Sequence, residues 1–209
     1  MRVVRVSLST ALLALGLSAA VLGAQNPAGR GGGRGGGRGG GRGRAIQVMT
    51  LTTTAWTDGG AIPAKYGQPG HEVSPPLAWT GAPDSTTSFV LIAHDPNSAT
   101  GNGTDDVLHW LVWNIPGTAR ALPEGFPQGP EQPDGTRQIS VTGPYYRAPA
   151  APANGPPHHF VYELFALDTV VAVLPTAAPP AATRAAVTAA MGGHVRAKAV
   201  LVGLYKRPQ

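Results

Sequence analysis

The segment GPPHHFVYELFALD, residues 155–168, decides the fold class of this chain. Its apolar part, His159–Asp168, is rich in aromatic, β-branched and aliphatic residues and gives the strongest strand signal in the sequence. His158 and His159 stand at the start of this run. Because side chains alternate along a strand, only one of the two can face a given pocket unless a bulge intervenes. The segment therefore predicts a core strand that begins with a histidine at a pocket.

Two further apolar runs each carry a polar residue near one end. We predict a strand at Thr87–His94, which overlaps SFVLIAHDPN (88–97), and another at Val107–Ile115 within VLHWLVWNIP (107–116). The first run is almost continuously apolar, as expected for a strand that is buried on both faces. Asp95 follows the first run, and His109 lies near the start of the second. A β scaffold can bring such residues, distant in sequence, into one pocket.

Alternation along each strand restricts which of these residues can meet. In an extended strand, Asp95 shares a face with Ala93, whereas His94 points the other way. By the same rule, His109 shares a face with Leu111. These assignments are expectations that the structure can test.

Asp95, His109 and one of the paired histidines form a candidate anion-binding pocket. An imidazole donates a hydrogen bond to an anion when it is neutral and a stronger one when it is protonated. A nearby carboxylate favours the protonated ring and fixes its orientation. Such a pocket would hold a phosphate-like group. The alternative is that each histidine is satisfied by backbone hydrogen bonds inside the fold.

Two other kinds of site use the same residue types. Two histidines and one aspartate can bind zinc or iron, but the sequence has no HExxH or comparably tight spacing. A serine hydrolase would need a nucleophile context that Ser98 and Ser140 lack, because there is no G-x-S-x-G elbow. The chain has no cysteine, which excludes disulfides and a thiol nucleophile.

The rest of the globular part is rich in proline and glycine, which favours a mainly β fold with substantial loops. One helix is predicted at Thr183–Met191, with Thr183 capping its start and Gly192 and Gly193 ending it. A long loop at Gly143–Pro157 is expected to be functional or mobile. The other predicted elements are strands at Ile46–Thr54, Arg137–Thr142 and Lys198–Tyr205, an extended segment at Glu72–Trp79 and a loop at Ala119–Asp134.

The N-terminal residues differ in composition from the rest and predict two segments before the domain. Residues 1–24 have a basic start, an apolar stretch and small residues around Ala20 and Ala24, the pattern of a secretory signal peptide. Residues 25–45 are Gly/Arg-rich, and we expect a disordered linker there. We expect it to contact anionic surfaces rather than a specific nucleic acid. The sequence thus predicts an exported protein, periplasmic or secreted.

Charge is divided unevenly between this leader and the domain at 46–209. The first 44 residues hold seven of the sixteen Lys and Arg residues and none of the eleven Asp and Glu residues, so the rest has nine basic and eleven acidic residues, a net of −2. The basic character of the chain therefore carries no information about the partner of the domain. The domain is long enough for one sizeable core.

Five segments carry a resemblance to a known family. Together they resemble the phosphatidylethanolamine-binding proteins, and more narrowly their bacterial Raf-kinase-inhibitor-like branch, collinearly over about residues 50–207. The resemblance implies an antiparallel Greek-key β-sandwich with short peripheral helices and a small anion pocket at one end. The segments are SPPLAWTGAP (74–83), FVLIAHDPN (89–97), HWLVWNIP (109–116), GPPHHFVYELFALD (155–168) and HVRAKAVLVGLYKR (194–207).

The resemblance assigns pocket residues one by one. The pocket aspartate of the family falls on Asp95, its first pocket histidine on His109 and its second on His158. His159 is then expected to point away. Phe160 stands where the family usually has tyrosine, so the pocket lacks one hydroxyl.

The aspartate motif also departs from the family pattern D-P-D-x-P. Asn97 replaces its second aspartate, and Ser98-Ala99 follows where the proline is expected. These differences affect the shape of the pocket and the identity of its ligand, but not the fold.

Together with the predicted signal peptide, the resemblance implies an exported, non-enzymatic binding protein, and we expect no cofactor and no bound metal. We expect it to hold a small phosphate-type anion or a phospholipid head group, with Pro144 and Gly155 supplying backbone contacts and Phe160 lining the pocket. Two alternatives remain open. One is an inhibitor or scaffold that meets a protein partner and has a vestigial pocket. The other is a metal-dependent hydrolase that uses the same three side chains.

Overall fold

The computed structural model describes residues 46–70, 72–175 and 179–209. The predicted signal peptide and linker lie outside the described residues, so both remain predictions. No helix within these ranges combines the length and the hydropathy that a membrane span requires.

A seven-stranded sheet forms the centre of the fold. The two apolar runs become its central strands, β5 (Ser88–Thr100) and β6 (Asp105–Pro116), which pair antiparallel. On its other side β5 pairs antiparallel with β9 (His158–Leu167). The sheet also contains β1 (Gln47–Val48), β3 (Gly60–Ala61), β8 (Arg137–Ile139) and β10 (Val195–Tyr205), in the order β1–β10–β9–β5–β6–β8 with β3 also pairing β10.

A three-stranded antiparallel sheet packs on one face of this central sheet. It consists of β2 (Thr50–Thr52), β4 (Leu77–Thr80) and β7 (Ala121–Leu122). Large apolar side chains of both sheets pack between them. Burying one such side chain contributes about 1.5–3 kcal/mol, so the interface between the sheets supplies much of the stability. The core that the two sheets share includes Leu51, Leu77, Trp79, Phe89, Leu91, Trp110 and Tyr162.

One α-helix of the described residues, α1 (Pro180–Ala190), covers the opposite face of the central sheet. There Val187 packs in a second core with Val90 and Leu111, so β5 is buried on both faces as its composition predicts. The prediction that Thr183 caps this helix was wrong. Proline at the first helical position fixes the start of the helix earlier, because its ring sets φ and its missing N–H is not needed there.

The mainly β fold with a peripheral helix is confirmed, but the pairing is not purely antiparallel. The short strands β1 and β3 both pair in parallel with β10. The predicted first strand, Ile46–Thr54, is divided between the two sheets, because β1 joins the central sheet and β2 joins the small one. The segment Ala119–Asp134, which was predicted to be a loop throughout, contains the short strand β7.

Candidate functional site

Asp95, His109 and His158 lie on three adjacent strands of the central sheet. Strand β5, which carries Asp95, lies between β9 and β6. Asp95 is opposite Val107 of β6, and His158 is the first residue of β9. The strand order therefore brings the three predicted pocket residues to the same end of the sheet.

Asp95 is a buried hydrogen-bond acceptor, with 2% of its surface exposed. Its Oδ1 accepts a hydrogen bond of 2.9 Å from the backbone N–H of Asn97. Its Oδ2 accepts one of 2.6 Å from Oγ of Ser98 and lies 2.8 Å from Nδ1 of His158. An ionised carboxylate can only accept, so the proton of this last contact belongs to His158 Nδ1.

The two adjacent histidines diverge, as alternation along a strand predicts. The side chain of His158 is 21% exposed and contacts Asp95. His159 is exposed, and both its backbone N–H and its Nδ1 lie within 3 Å of Asn97 Oδ1, at 2.8 and 2.9 Å. Only His158 therefore belongs to the cluster.

Strict alternation predicted the wrong face for His109. In the pairing of β5 with β6, Ala93 is opposite Trp110 and His94 is opposite Leu108, so His109 is the extra residue of a β-bulge. A bulge rotates the side chain of the extra residue away from the face that simple counting gives it. His109 consequently lies against the core between the two sheets rather than the core beneath the helix.

The ring of His109 is buried and held from two directions. It packs edge-to-face on Phe160, with centroids 5.0 Å apart and an interplanar angle of 80°. Its Nδ1 lies 2.9 Å from the backbone oxygen of Arg147 and donates to it. Burial lowers the pKa of His109, although the Arg147 carbonyl and the Asp95 charge act in the opposite direction. The ring is therefore neutral near pH 7, and its Nε2 is a hydrogen-bond acceptor.

The long loop at Gly143–Pro157 reaches the cluster through one residue. The backbone N–H of Arg147 donates to the carbonyl of His109 at 2.9 Å. The carbonyl of Pro144 instead accepts the N–H of Gly129, and Gly155 is exposed with a φ of 115°. No described hydrogen bond joins Pro144 or Gly155 to the three pocket side chains, so their part in binding stays a prediction.

Sequence reasoning missed two contributors to the cluster. Ser98 was considered only as a nucleophile, but its hydroxyl holds Asp95 in place. The spacing of Asp95, Asn97 and Ser98 is the pattern by which an aspartate hydrogen-bonds residues just after it, and that pattern could have shown the contact. Arg147 had no comparable signal, because its contact with His109 is long-range.

A wide groove lies elsewhere, between α1 and the hairpin that joins β5 to β6. It has a volume of about 1030 Å³ and is lined largely by alanine and proline side chains. Two of its charged residues, Arg184 and Asp106, pair with each other. The described residues contain no group of three or more His, Asp or Glu side chains that could hold a metal ion. The concentration of oriented polar groups therefore favours the Asp95 cluster as the candidate site.

Comparison with known sequences gives one family. Residues 52–206 match the family model described as phosphatidylethanolamine-binding protein. A UPF0098 protein of Methanothermobacter thermautotrophicus is 38% identical over 161 residues, which cover 76% of this chain and 99% of that protein. A UPF0098 protein of Aquifex aeolicus is 35% identical over 161 residues, covering 77% of this chain and 90% of that protein.

Solved structures give the same result for the fold. A crystal structure of a phosphatidylethanolamine-binding protein homologue from Chlamydia trachomatis matches with a TM-score of 0.63 and 28% identity, covering 77% of this chain and 99% of that one. The structure of YbcL from Escherichia coli matches with a TM-score of 0.60 and 23% identity, covering 76% and 98% of the two chains. At that identity, the second match supports the fold alone.

Proposed function

Because the chain belongs to the phosphatidylethanolamine-binding protein family, we propose that it is a non-enzymatic protein that binds a small phosphate-type anion or a phospholipid head group. In this proposal His109 and His158 contact the anion, and Asp95 orients His158. The protein acts after export, because residues 1–24 have the pattern of a secretory signal peptide.

One observation carries the proposal, namely the buried carboxylate of Asp95 at 2.8 Å from Nδ1 of a partly exposed histidine. A carboxylate that accepts from one ring nitrogen fixes the orientation of the ring and leaves the other nitrogen facing outward. The other ring nitrogen, Nε2 of His158, takes no hydrogen bond from the described residues. It is therefore open to a group from outside the chain, to which it donates when the ring is protonated.

The two histidines offer complementary hydrogen bonds. His158, when protonated, donates from Nε2. His109 is neutral because burial lowers its pKa, and its Nδ1 already donates to the Arg147 carbonyl, so its Nε2 accepts. A singly protonated phosphate has both an acceptor oxygen and a hydroxyl donor. This pair of imidazoles thus matches a singly protonated phosphate, or a head group that combines phosphate oxygens with an ammonium donor, better than it matches an anion without a donor.

The test is a calorimetric titration of the full-length protein with inorganic phosphate, phosphoethanolamine and, separately, zinc. We expect His109→Ala and His158→Ala to weaken binding of the phosphates by about tenfold or more, since each removes a hydrogen bond to a charged group. The matched control is His194→Ala. His194 also pairs with an aspartate, at 2.9 Å from Asp168, but its side chain is 46% exposed and lies away from the cluster.

Wild-type protein that binds neither phosphate compound, or pocket variants that bind as tightly as wild type, would contradict the proposal. Binding of zinc alone, lost in the same variants, would favour the metal-dependent alternative.

A further inference from the structure

Arg147 is fixed next to His109 by its backbone. Its N–H donates to the carbonyl of His109, and its carbonyl accepts from His109 Nδ1, both at 2.9 Å. This pair of hydrogen bonds anchors one point of the long Pro/Ala/Gly loop to strand β6. The side chain of Arg147 therefore starts from a defined position beside the pocket.

The guanidinium of Arg147 lacks the partners that other arginines of the domain have. Arg137, Arg184 and Arg196 each pair with a carboxylate. Among the described residues, no carboxylate lies within ion-pairing distance of Arg147, and its Nε is enclosed without a hydrogen-bond partner. An enclosed donor of a charged group without a partner is costly, and Arg147 as a whole is only partly buried, so its guanidinium is a candidate for binding an anion from outside the chain.

The charge of Arg147 acts on the pocket itself. It adds to the lowering of the pKa of His109, after the larger effect of burial. The other charged or titratable groups that act on His109 are Asp95 and His94, both on β5, and His158 contacts Asp95 directly. Of these groups, Arg147 alone stays positively charged at every physiological pH, because histidines lose their charge as the pH rises.

We propose that the guanidinium of Arg147 is a binding group of the anion pocket and contacts two unesterified oxygens of a phosphoryl group. This inference rests on the proposed function of the Asp95, His109 and His158 cluster. A guanidinium presents a planar fork of donors that matches two oxygens on one phosphorus. Free phosphate, a phosphomonoester and a phosphodiester head group all have two such oxygens. Binding that depends on Arg147 persists at alkaline pH, where histidines alone are weak anion ligands.

The experiment is a titration of full-length protein with inorganic phosphate, phosphoethanolamine and glycerophosphoethanolamine, at about pH 6 and about pH 8.5, so that the histidine charge differs between the two series. Arg147→Gln removes the charge, and Arg147→Lys keeps the charge but removes the fork. Arg120→Gln is the matched control, because the Arg120 side chain is exposed and donates only to carbonyls of its own loop, those of Gly117 and Ala119. The three ligands distinguish free phosphate from a head group.

We expect Arg147→Gln to weaken phosphate binding by roughly ten- to a hundredfold at the higher pH, with a smaller loss at the lower pH. Arg147→Lys should lie between Gln and wild type, and Arg120→Gln should match wild type. If Arg147→Gln does not fold, the phosphate affinity of Arg147→Lys can still be compared with that of wild type. Unchanged affinity in either Arg147 variant, with binding lost in His109→Ala, would overturn this inference and leave the proposed function standing. Wild-type protein that binds none of the three compounds would overturn both.

Discussion

Oδ2 of Asp95 lies 2.8 Å from Nδ1 of His158, although 63 residues separate them in the sequence. The carboxylate is buried, and Asn97 and Ser98, which follow it in β5, also donate to it. The hydrogen bonds from these two neighbours hold the Asp95 side chain in one orientation. A carboxylate that is fixed in this way can in turn fix the orientation of the His158 ring at the start of β9.

Asp95→Asn should weaken phosphate binding by about tenfold while the protein stays folded. An amide keeps an acceptor oxygen for the N–H of Asn97, but it replaces the oxygen that accepts from His158 Nδ1 with an NH₂ group, so the ring loses its fixed orientation. We expect a loss of about 1–2 kcal/mol in the free energy of unfolding as well, since hydrogen bonds to a charged group are lost. Calorimetric titration and urea unfolding measure the two effects.

Asp134→Asn is the control for this substitution. Asp134 accepts a hydrogen bond from the backbone N–H of Thr136 in a turn, at 2.9 Å, and has no contact with the cluster. Its substitution should leave binding unchanged. An Asp95→Asn protein with wild-type affinity would show that His158 does not need the carboxylate.

Phe160→Leu should lower both stability and affinity by a modest amount. The substitution retains an apolar side chain but removes the edge-to-face contacts of Phe160 with His109 and Tyr205, whose centroids are 5.0 and 6.4 Å away. Aromatic pairs of this kind contribute about 0.5–1.5 kcal/mol beyond the area they bury. Thermal unfolding and phosphate titration provide the two measurements. Affinity equal to that of wild type, in a destabilised protein, would show that Phe160 supports the core but does not position His109.

Another histidine, His94, lies on the face of β5 opposite to that of Asp95 and belongs to a network of charged side chains. Its Nδ1 is 2.5 Å from Asp106, and its Nε2 is 3.5 Å from Glu163, a distance too long for a good hydrogen bond. Arg184 of the helix pairs with Asp106, and Lys198 pairs with Glu163. Burial alone would lower the pKa of His94, but the two carboxylates together raise it above its usual value. Arg184 thus ties α1 to the sheet through Asp106, and His94 adds its positive charge to the same network when it is protonated.

Glu163→Gln should destabilise the protein most between about pH 4.5 and pH 6.5. The nearby ring of His94 lowers the pKa of Glu163 to about 2, with Lys198 acting in the same direction against burial. The contribution of Glu163 is therefore present above the pKa of the unfolded carboxyl, and it is lost as the pH falls toward 2. The contribution of His94 is complete below the pKa of the unfolded imidazole and is lost as the pH rises through its raised folded value.

Urea unfolding at a series of pH values measures this effect. We expect a loss of about 1–2 kcal/mol within that window and a smaller loss at about pH 9, where only the pair with Lys198 remains. Glu131→Gln is the control, because the Glu131 side chain is 50% exposed in its pair with Arg137. A pH-independent loss in Glu163→Gln would contradict the account of His94.

Much of this fold follows from sequence patterns that are local. The apolar runs that became β5, β6 and β9 were long enough to predict strands. His158 does begin β9, whereas β5 continues past Asp95 to Thr100, beyond the predicted end at His94. Alternation correctly separated His158 from His159. Alternation left open which of the two faces the pocket, and the resemblance to a family selected His158.

The face of His109 could not be predicted in the same way. A β-bulge depends on the register between two strands, and the sequence of β6 alone does not reveal where the register shifts. The parallel pairing of β1 and β3 with β10 depends in the same way on tertiary contacts. These two strands have two residues each, which is too short for a sequence pattern to show their pairing. Arg147 was missed for the same reason, since its contact with His109 spans 38 residues.

The most direct test of the central claim is nitrogen-15 NMR of the histidine side chains during titration with inorganic phosphate. The account predicts that the Nε2 resonances of His109 and His158 shift together and saturate, whereas those of His159 and His194 stay in place. Titration with chloride at equal ionic strength controls for screening. Resonances of His109 and His158 that do not respond to phosphate, or that respond no more than those of His194, would contradict the account.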